Sequence, residues 1–99
     1  MKIKLYRLND GLELTGVRVD WIEWNEYGTV KAKHEKPDIG LSCLIDGHYG
    51  LLYTWLTTEI IGFQYADCTD HPGYICVFTT KNSEYKLEYY GNIEKQEEA

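Results

Sequence analysis

Tyr74-Ile75-Cys76-Val77-Phe78-Thr79-Thr80, then Lys81-Asn82-Ser83, then Glu84-Tyr85-Lys86-Leu87-Glu88-Tyr89-Tyr90: this run near the C-terminus decides the fold class. Its period is two. Tyr85, Leu87 and Tyr89 share one side of the second arm, while Glu84, Lys86 and Glu88 share the other. Successive side chains of a strand point to opposite faces, so the alternation describes a strand with one dry and one wet side. Asn82 and Ser83 have side chains able to hydrogen-bond the backbone and tolerate a bend. The two arms are therefore expected to pair as an antiparallel hairpin.

The same period governs the N-terminal half. Ile3 and Leu5 alternate with Lys2, Lys4 and Tyr6, and Asn9-Asp10-Gly11 follows as a turn in which glycine accepts positive φ. A second strand is expected from Leu12 to Trp24, with a β-bulge at Thr15-Gly16 to explain why its apolar set changes phase. Asn25-Glu26-Tyr27-Gly28 turns into a third strand, Thr29 to Glu35, which Lys36-Pro37-Asp38 ends. Ile39 to Ile45 reads as a short strand closed by Asp46-Gly47, and Thr57 to Tyr65 as another. His48 to Leu56 fits a helical turn or an irregular loop equally well, and Ala66 to Gly73 reads as a polar loop. Six or seven short strands with such turn signals predict an all-β fold, a small antiparallel barrel or sandwich. The expected layout is one domain over residues 1–91 and an acidic tail over 92–99.

A chain of 99 residues with 43% apolar content can bury one core. The formal net charge is −6. Between Pro37 and Thr80 there is no lysine or arginine, and Asp38, Asp46, Glu59, Asp67 and Asp70 all fall there. Such a surface repels phosphate backbones and attracts basic or neutral partners. Lys31, Lys33 and Lys36 form a mid-chain basic cluster, but Glu35 interrupts it, and lysines on an edge strand serve to block edge-to-edge pairing. Direct nucleic-acid binding is disfavoured. The first residues alternate charged and apolar side chains as a strand does, not as a signal peptide does, and no apolar run is long enough to span a bilayer. With the odd cysteines Cys43, Cys68 and Cys76, this predicts a cytoplasmic protein with free thiols and no membrane partner.

Chemistry finds little support. Cys68, His71 and Cys76 with Cys43 or His48 have donor types that suit zinc, but there is no Cys-x-x-Cys knuckle, and Cys76 sits in an apolar strand. No nucleophile motif and no phosphate-binding glycine loop is present, so neither catalysis nor a cofactor is expected. Excess carboxylates can simply keep a small domain soluble. If Asp46, Glu59, Asp67 and Asp70 share one side with Tyr49, Tyr53 and Trp55 among them, they make a negative aromatic face. That face suits a basic protein groove, including one that normally holds nucleic acid. An alternative is a pocket in which Trp21 and Trp24 enclose a neutral ring or a nucleotide signal. A structural module, with homodimer formation open, is a third.

Trp55-Leu56-Thr57-Thr58-Glu59-Ile60 and Phe78-Thr79-Thr80-Lys81-Asn82-Ser83-Glu84-Tyr85-Lys86-Leu87 carry a Trp-x-Thr strand and a Thr-x-Asn-Ser-x-Tyr hairpin. In these elements the chain resembles small uncharacterised proteins of phages and mobile elements in Gram-positive bacteria, over about its C-terminal third. The resemblance brings no agreed activity. It implies a phage-type accessory protein, a group rich in small acidic inhibitors of host defence enzymes, and hence a host protein as partner.

Overall fold

The computed structural model describes residues 3–47, 55–70 and 72–90. Among them are nine strands and no helix: β1 (Ile3–Arg7), β2 (Leu12–Gly16), β3 (Val19–Trp24), β4 (Val30–His34), β5 (Ser42–Ile45), β6 (Trp55–Leu56), β7 (Ile60–Asp67), β8 (Tyr74–Thr80) and β9 (Glu84–Tyr89). All neighbours pair antiparallel, in a five-stranded sheet of order β2-β1-β9-β8-β7 and a four-stranded sheet of order β4-β3-β5-β6. The all-β expectation holds. The strand count is higher than six or seven, and neither sheet closes into a barrel.

The β8–β9 hairpin forms over almost the span its period indicates. Phe78 faces Tyr85, Cys76 faces Leu87 and Tyr74 faces Tyr89, and all of this row but the partly buried Tyr89 belongs to the core. Its turn differs in detail from the expectation. The Thr80 hydroxyl accepts the backbone N–H groups of Asn82 and Ser83 at 3.4 and 3.3 Å, and the Thr80 N–H donates to the Ser83 carbonyl at 2.8 Å. The bend is thus organised from its first residue. In β1, Ile3 and Leu5 are fully buried opposite Tyr89 and Leu87.

One expected strand is split between the sheets and another starts later than expected. Leu12 to Trp24 is not one bulged strand: β2 ends at Gly16 in the five-stranded sheet and β3 starts at Val19 in the other. The change of apolar phase marks a change of sheet. Gly16 is buried where a Cβ would stand 2.7 Å from Ile45 Cγ2, so a larger residue at the crossing would have to displace that buried side chain. Asp46 holds the crossing in place, its Oδ1 accepting the N–H groups of Val17 and Arg18, both at 2.9 Å. The strand expected over Thr57 to Tyr65 starts late: positions 57–59 are not strand and β7 begins at Ile60, whereas Trp55–Leu56, expected as part of a helical turn or irregular loop, form the short strand β6. The Thr57 hydroxyl accepts the Cys43 N–H at 2.9 Å and donates to the Thr58 carbonyl at 2.8 Å, ending β6 before β7 begins. β7 then extends to Asp67, into what reads from sequence as loop.

One core joins the sheets. Trp21 of β3 meets Phe78 edge to face at 5.5 Å, and its indole N–H donates to the Tyr74 hydroxyl at 3.0 Å. Edge-to-face packing satisfies the ring quadrupoles, and the hydrogen bond pairs two groups that are costly to bury alone. At the rim, the Arg7 guanidinium of β1 lies 5.1 Å from the Trp55 ring of β6. Among the described residues no helix is long and apolar enough to cross a membrane. The ambiguous segment lies outside the described residues over positions 48–54, as does the acidic tail 92–99.

Candidate binding cleft

The residues expected on an acidic aromatic face occupy several settings. Asp46 is a structural turn residue, with φ of 52° and its carboxylate committed to the sheet crossing. Trp55 is half-buried under Arg7, and its indole N–H has no acceptor among the described residues. Glu59 borders a shallow groove with Trp24, Ser42, Thr57 and Thr58. Asp70 is exposed in the turn after β7. Tyr49 and Tyr53 lie outside the described residues.

Asp67 is the member with aromatic company. Alternation along β7 after its bulge at Ile60–Gly62 places Phe63, Tyr65 and Asp67 in the row facing Phe78, Cys76 and Tyr74. Tyr65, Tyr74 and Tyr89 thereby form a ladder across three strands, with ring centroids 4.9 and 5.1 Å apart at interplanar angles of 35° and 42°. Val19 and Asp20 of β3, with Glu35 and Lys36 beyond β4, complete a cleft of about 450 Å³. Tyr74 is buried and makes its floor, whereas Tyr65 and Tyr89 are partly buried. Gly73 lines it too; its φ is 141°, and a Cβ there would collide with the Tyr89 carbonyl oxygen.

The cleft's chemistry follows from these neighbours. The Tyr65 hydroxyl donates to Asp67 Oδ1 at 2.6 Å. Burial, and then that carboxylate, push the Tyr65 pKa up to about 12, so the phenol remains a donor. Burial raises Tyr74 as well, although its bond from Trp21 acts the other way. The Lys36 ammonium stands 5.7 Å from the Tyr65 ring centroid, within cation–π range. Asp20 is ion-paired to Arg18 Nε at 3.3 Å. Tyr65, Tyr74, Tyr89, Asp20 and Glu35 were not part of the expected face. The Tyr65-x-Asp67 spacing signals a shared strand face, but Tyr89 and Asp20 come from remote strands that no spacing connects.

The remaining candidates are placed as follows. Trp21 is fully buried and consumed by the core, so it offers no wall to a ligand. Trp24 donates its indole N–H to Ser42 Oγ at 2.8 Å and borders an open cleft of about 820 Å³ with Glu23, Lys33, His34 and Lys36. Glu23 is engaged there by His34 at 2.9 Å and Lys31 at 3.3 Å, which lowers its pKa. Cys43 and Cys76 are fully buried, and burial pushes both thiols up, Cys76 to about 12. Cys68 is partly exposed, while His48 and His71 lie outside the described residues. Among the described residues no three His, Cys, Asp or Glu side chains gather as a metal site. No family model, curated protein or solved structure matches this chain.

Proposed function

We propose that this chain is a non-enzymatic binding protein that engages a partner of basic surface through an acidic, tyrosine-rich region centred on Asp67. The observation that carries the reading is the cleft itself, where three tyrosine rings lie beside the carboxylates of Asp67, Asp20 and Glu35. Tyrosines give contact area with polar tips, and surrounding negative charge steers a basic surface into place. The formal charge of −6 and the engagement of Lys31 by Glu23 argue against a phosphate-tracking surface. In this reading the two sheets form a sandwich that acts as a rigid platform. The partner is a host protein met in the cytoplasm, blocked by occupancy, as the Trp-x-Thr and Thr-x-Asn-Ser-x-Tyr elements suggest for a phage-type accessory protein.

The test is capture from host lysate with the native protein and with the double variant Asp67→Lys/Asp70→Lys. Loss of the captured protein, with stability from urea unfolding unchanged within about 0.5 kcal/mol, is the expected result. Equal capture by both proteins would remove the acidic region from the function.

A second reading, a small-molecule binder, draws on the larger cleft, where Trp24 stands with Lys33, His34 and Lys36. An aromatic wall with cations beside it suits an anionic ring compound. A native mass spectrum discriminates: added mass retained by the native protein and lost in Trp24→Ala supports this reading, and a bare mass counts against it.

A further inference from the structure

We infer that the Tyr65–Tyr74–Tyr89 cleft seats one cationic side chain of the partner, a lysine or arginine, and that Lys36 occupies the seat until that side chain displaces it. The inference rests on the basic-partner reading and specifies what the partner must present.

Three observations converge. The cleft has two partly buried tyrosine walls over a buried tyrosine floor, with neighbouring ring centroids 4.9 and 5.1 Å apart, so aromatic surface bounds one volume. A ring face is the negative end of an aromatic quadrupole and attracts a cation, more strongly when water is partly excluded. Asp67 lines the same cleft and its carboxylate accepts the Tyr65 hydroxyl at 2.6 Å, which fixes its place beside the ring. Finally, a cation is already there: Lys36 Nζ stands over Tyr65 at 5.7 Å. Lys36 is exposed on the segment following β4, and its long flexible stem can leave without disturbing the core. The cleft is thus satisfied in the free protein by an intramolecular cation, and binding exchanges one cation for another.

The exchange predicts opposite signs for two substitutions. Lys36→Ala removes the internal competitor and should tighten a cationic ligand about two- to fivefold. Asp67→Asn removes the anion and should weaken it by a similar factor. Lys33→Ala carries the same charge change as Lys36→Ala but lines the other cleft, so it separates displacement from a general gain in negative charge.

The experiment is an NMR titration of the full chain with acetyl-Gly-Lys-Gly-amide, acetyl-Gly-Arg-Gly-amide and the neutral acetyl-Gly-Gln-Gly-amide. Expected are shifts of the Tyr65, Tyr74 and Tyr89 ring signals with the two cationic peptides and not the neutral one. Binding should be tighter in Lys36→Ala and near native in Lys33→Ala. Cationic peptides that shift only signals elsewhere, such as those around Glu59 or Asp70, overturn the seat while leaving the acidic-surface reading intact. Equal tightening in Lys36→Ala and Lys33→Ala overturns the displacement. Absence of any shift overturns the seat, and the lysate capture with Asp67→Lys/Asp70→Lys then decides the broader reading separately.

Discussion

At the scale of single residues, Asp46 shows how a polar side chain is spent on the fold. Its Oδ1 receives two backbone N–H groups, and its own N–H donates to the Arg18 carbonyl at 2.9 Å. From sequence its charge suggests a surface contact, since nothing near it in the chain indicates that Val17 and Arg18 will arrive beside it. Asp46→Ala should lower stability by about 1–2 kcal/mol, through two unpaired donors and a positive φ that alanine resists. Asp46→Asn, which keeps an acceptor and tolerates that φ, should remain near native in urea unfolding. The buried titratable groups predict a pH response of definite sign. Cys43, Cys76, Tyr65 and Tyr74 all hold their protons more tightly folded than their ordinary values imply, chiefly because burial disfavours the charged forms. Their contribution is complete below the unfolded pKa values and is lost as pH rises through the folded ones. Stability should therefore fall progressively from about pH 9 towards the Cys76 and Tyr65 values of about 12. A urea midpoint that stays level from neutral pH through that range would contradict this.

At the scale of elements, the strand edges differ in how they are protected. β4 ends one sheet and carries Lys31 and Lys33 with His34, whereas β6 ends the same sheet with two residues and so presents little backbone. β7 ends the five-stranded sheet, and Gly40 and Leu41 cover its first residue by hydrogen bonds of 2.9 and 2.8 Å to Ile60. Replacing both β4 lysines by threonine should leave the monomer folded but promote edge-to-edge association, seen as a concentration-dependent rise in sedimentation coefficient. The elements most legible in the sequence are those with a local cause. The β8–β9 hairpin, the Asn9-Asp10-Gly11 turn with Gly11 at φ of 76° and the Asn25–Gly28 turn with Gly28 at 80° all belong to this class. The phase change at Thr15-Gly16 was legible, but its carrying the chain into the other sheet was not, nor was the late start of β7, because the groups that fix them, Asp46 and the Cys43 backbone, lie far along the chain.

At the scale of the whole molecule, charge and core are arranged independently. Trp21, Phe78 and their neighbours bind the sheets through an apolar interior, while the described carboxylate residues lie outside it, exposed or part-buried. A partner held by those carboxylates should be released by salt. Captured host protein is expected to dissociate as ionic strength rises to a Debye length of about 3 Å, near 1 M, and to stay bound in neutral osmolyte. Release by osmolyte and not by salt would point to an apolar contact such as Phe63 or Ile61, both exposed on β7.

The sequence by itself determined that this chain is all-β, where its clearest hairpin turns and that its middle is free of lysine and arginine. Strand period, turn chemistry and charge are properties of neighbouring residues, and they survive without knowledge of the fold. The tertiary structure decided which strands share a sheet, which aspartate is consumed by a crossing and which tyrosines meet. An alternating strand has the same period in either sheet. The Tyr65–Tyr74–Tyr89 cleft exists because β7, β8 and β9 pair in register and β3 closes against them, a condition that no local pattern encodes.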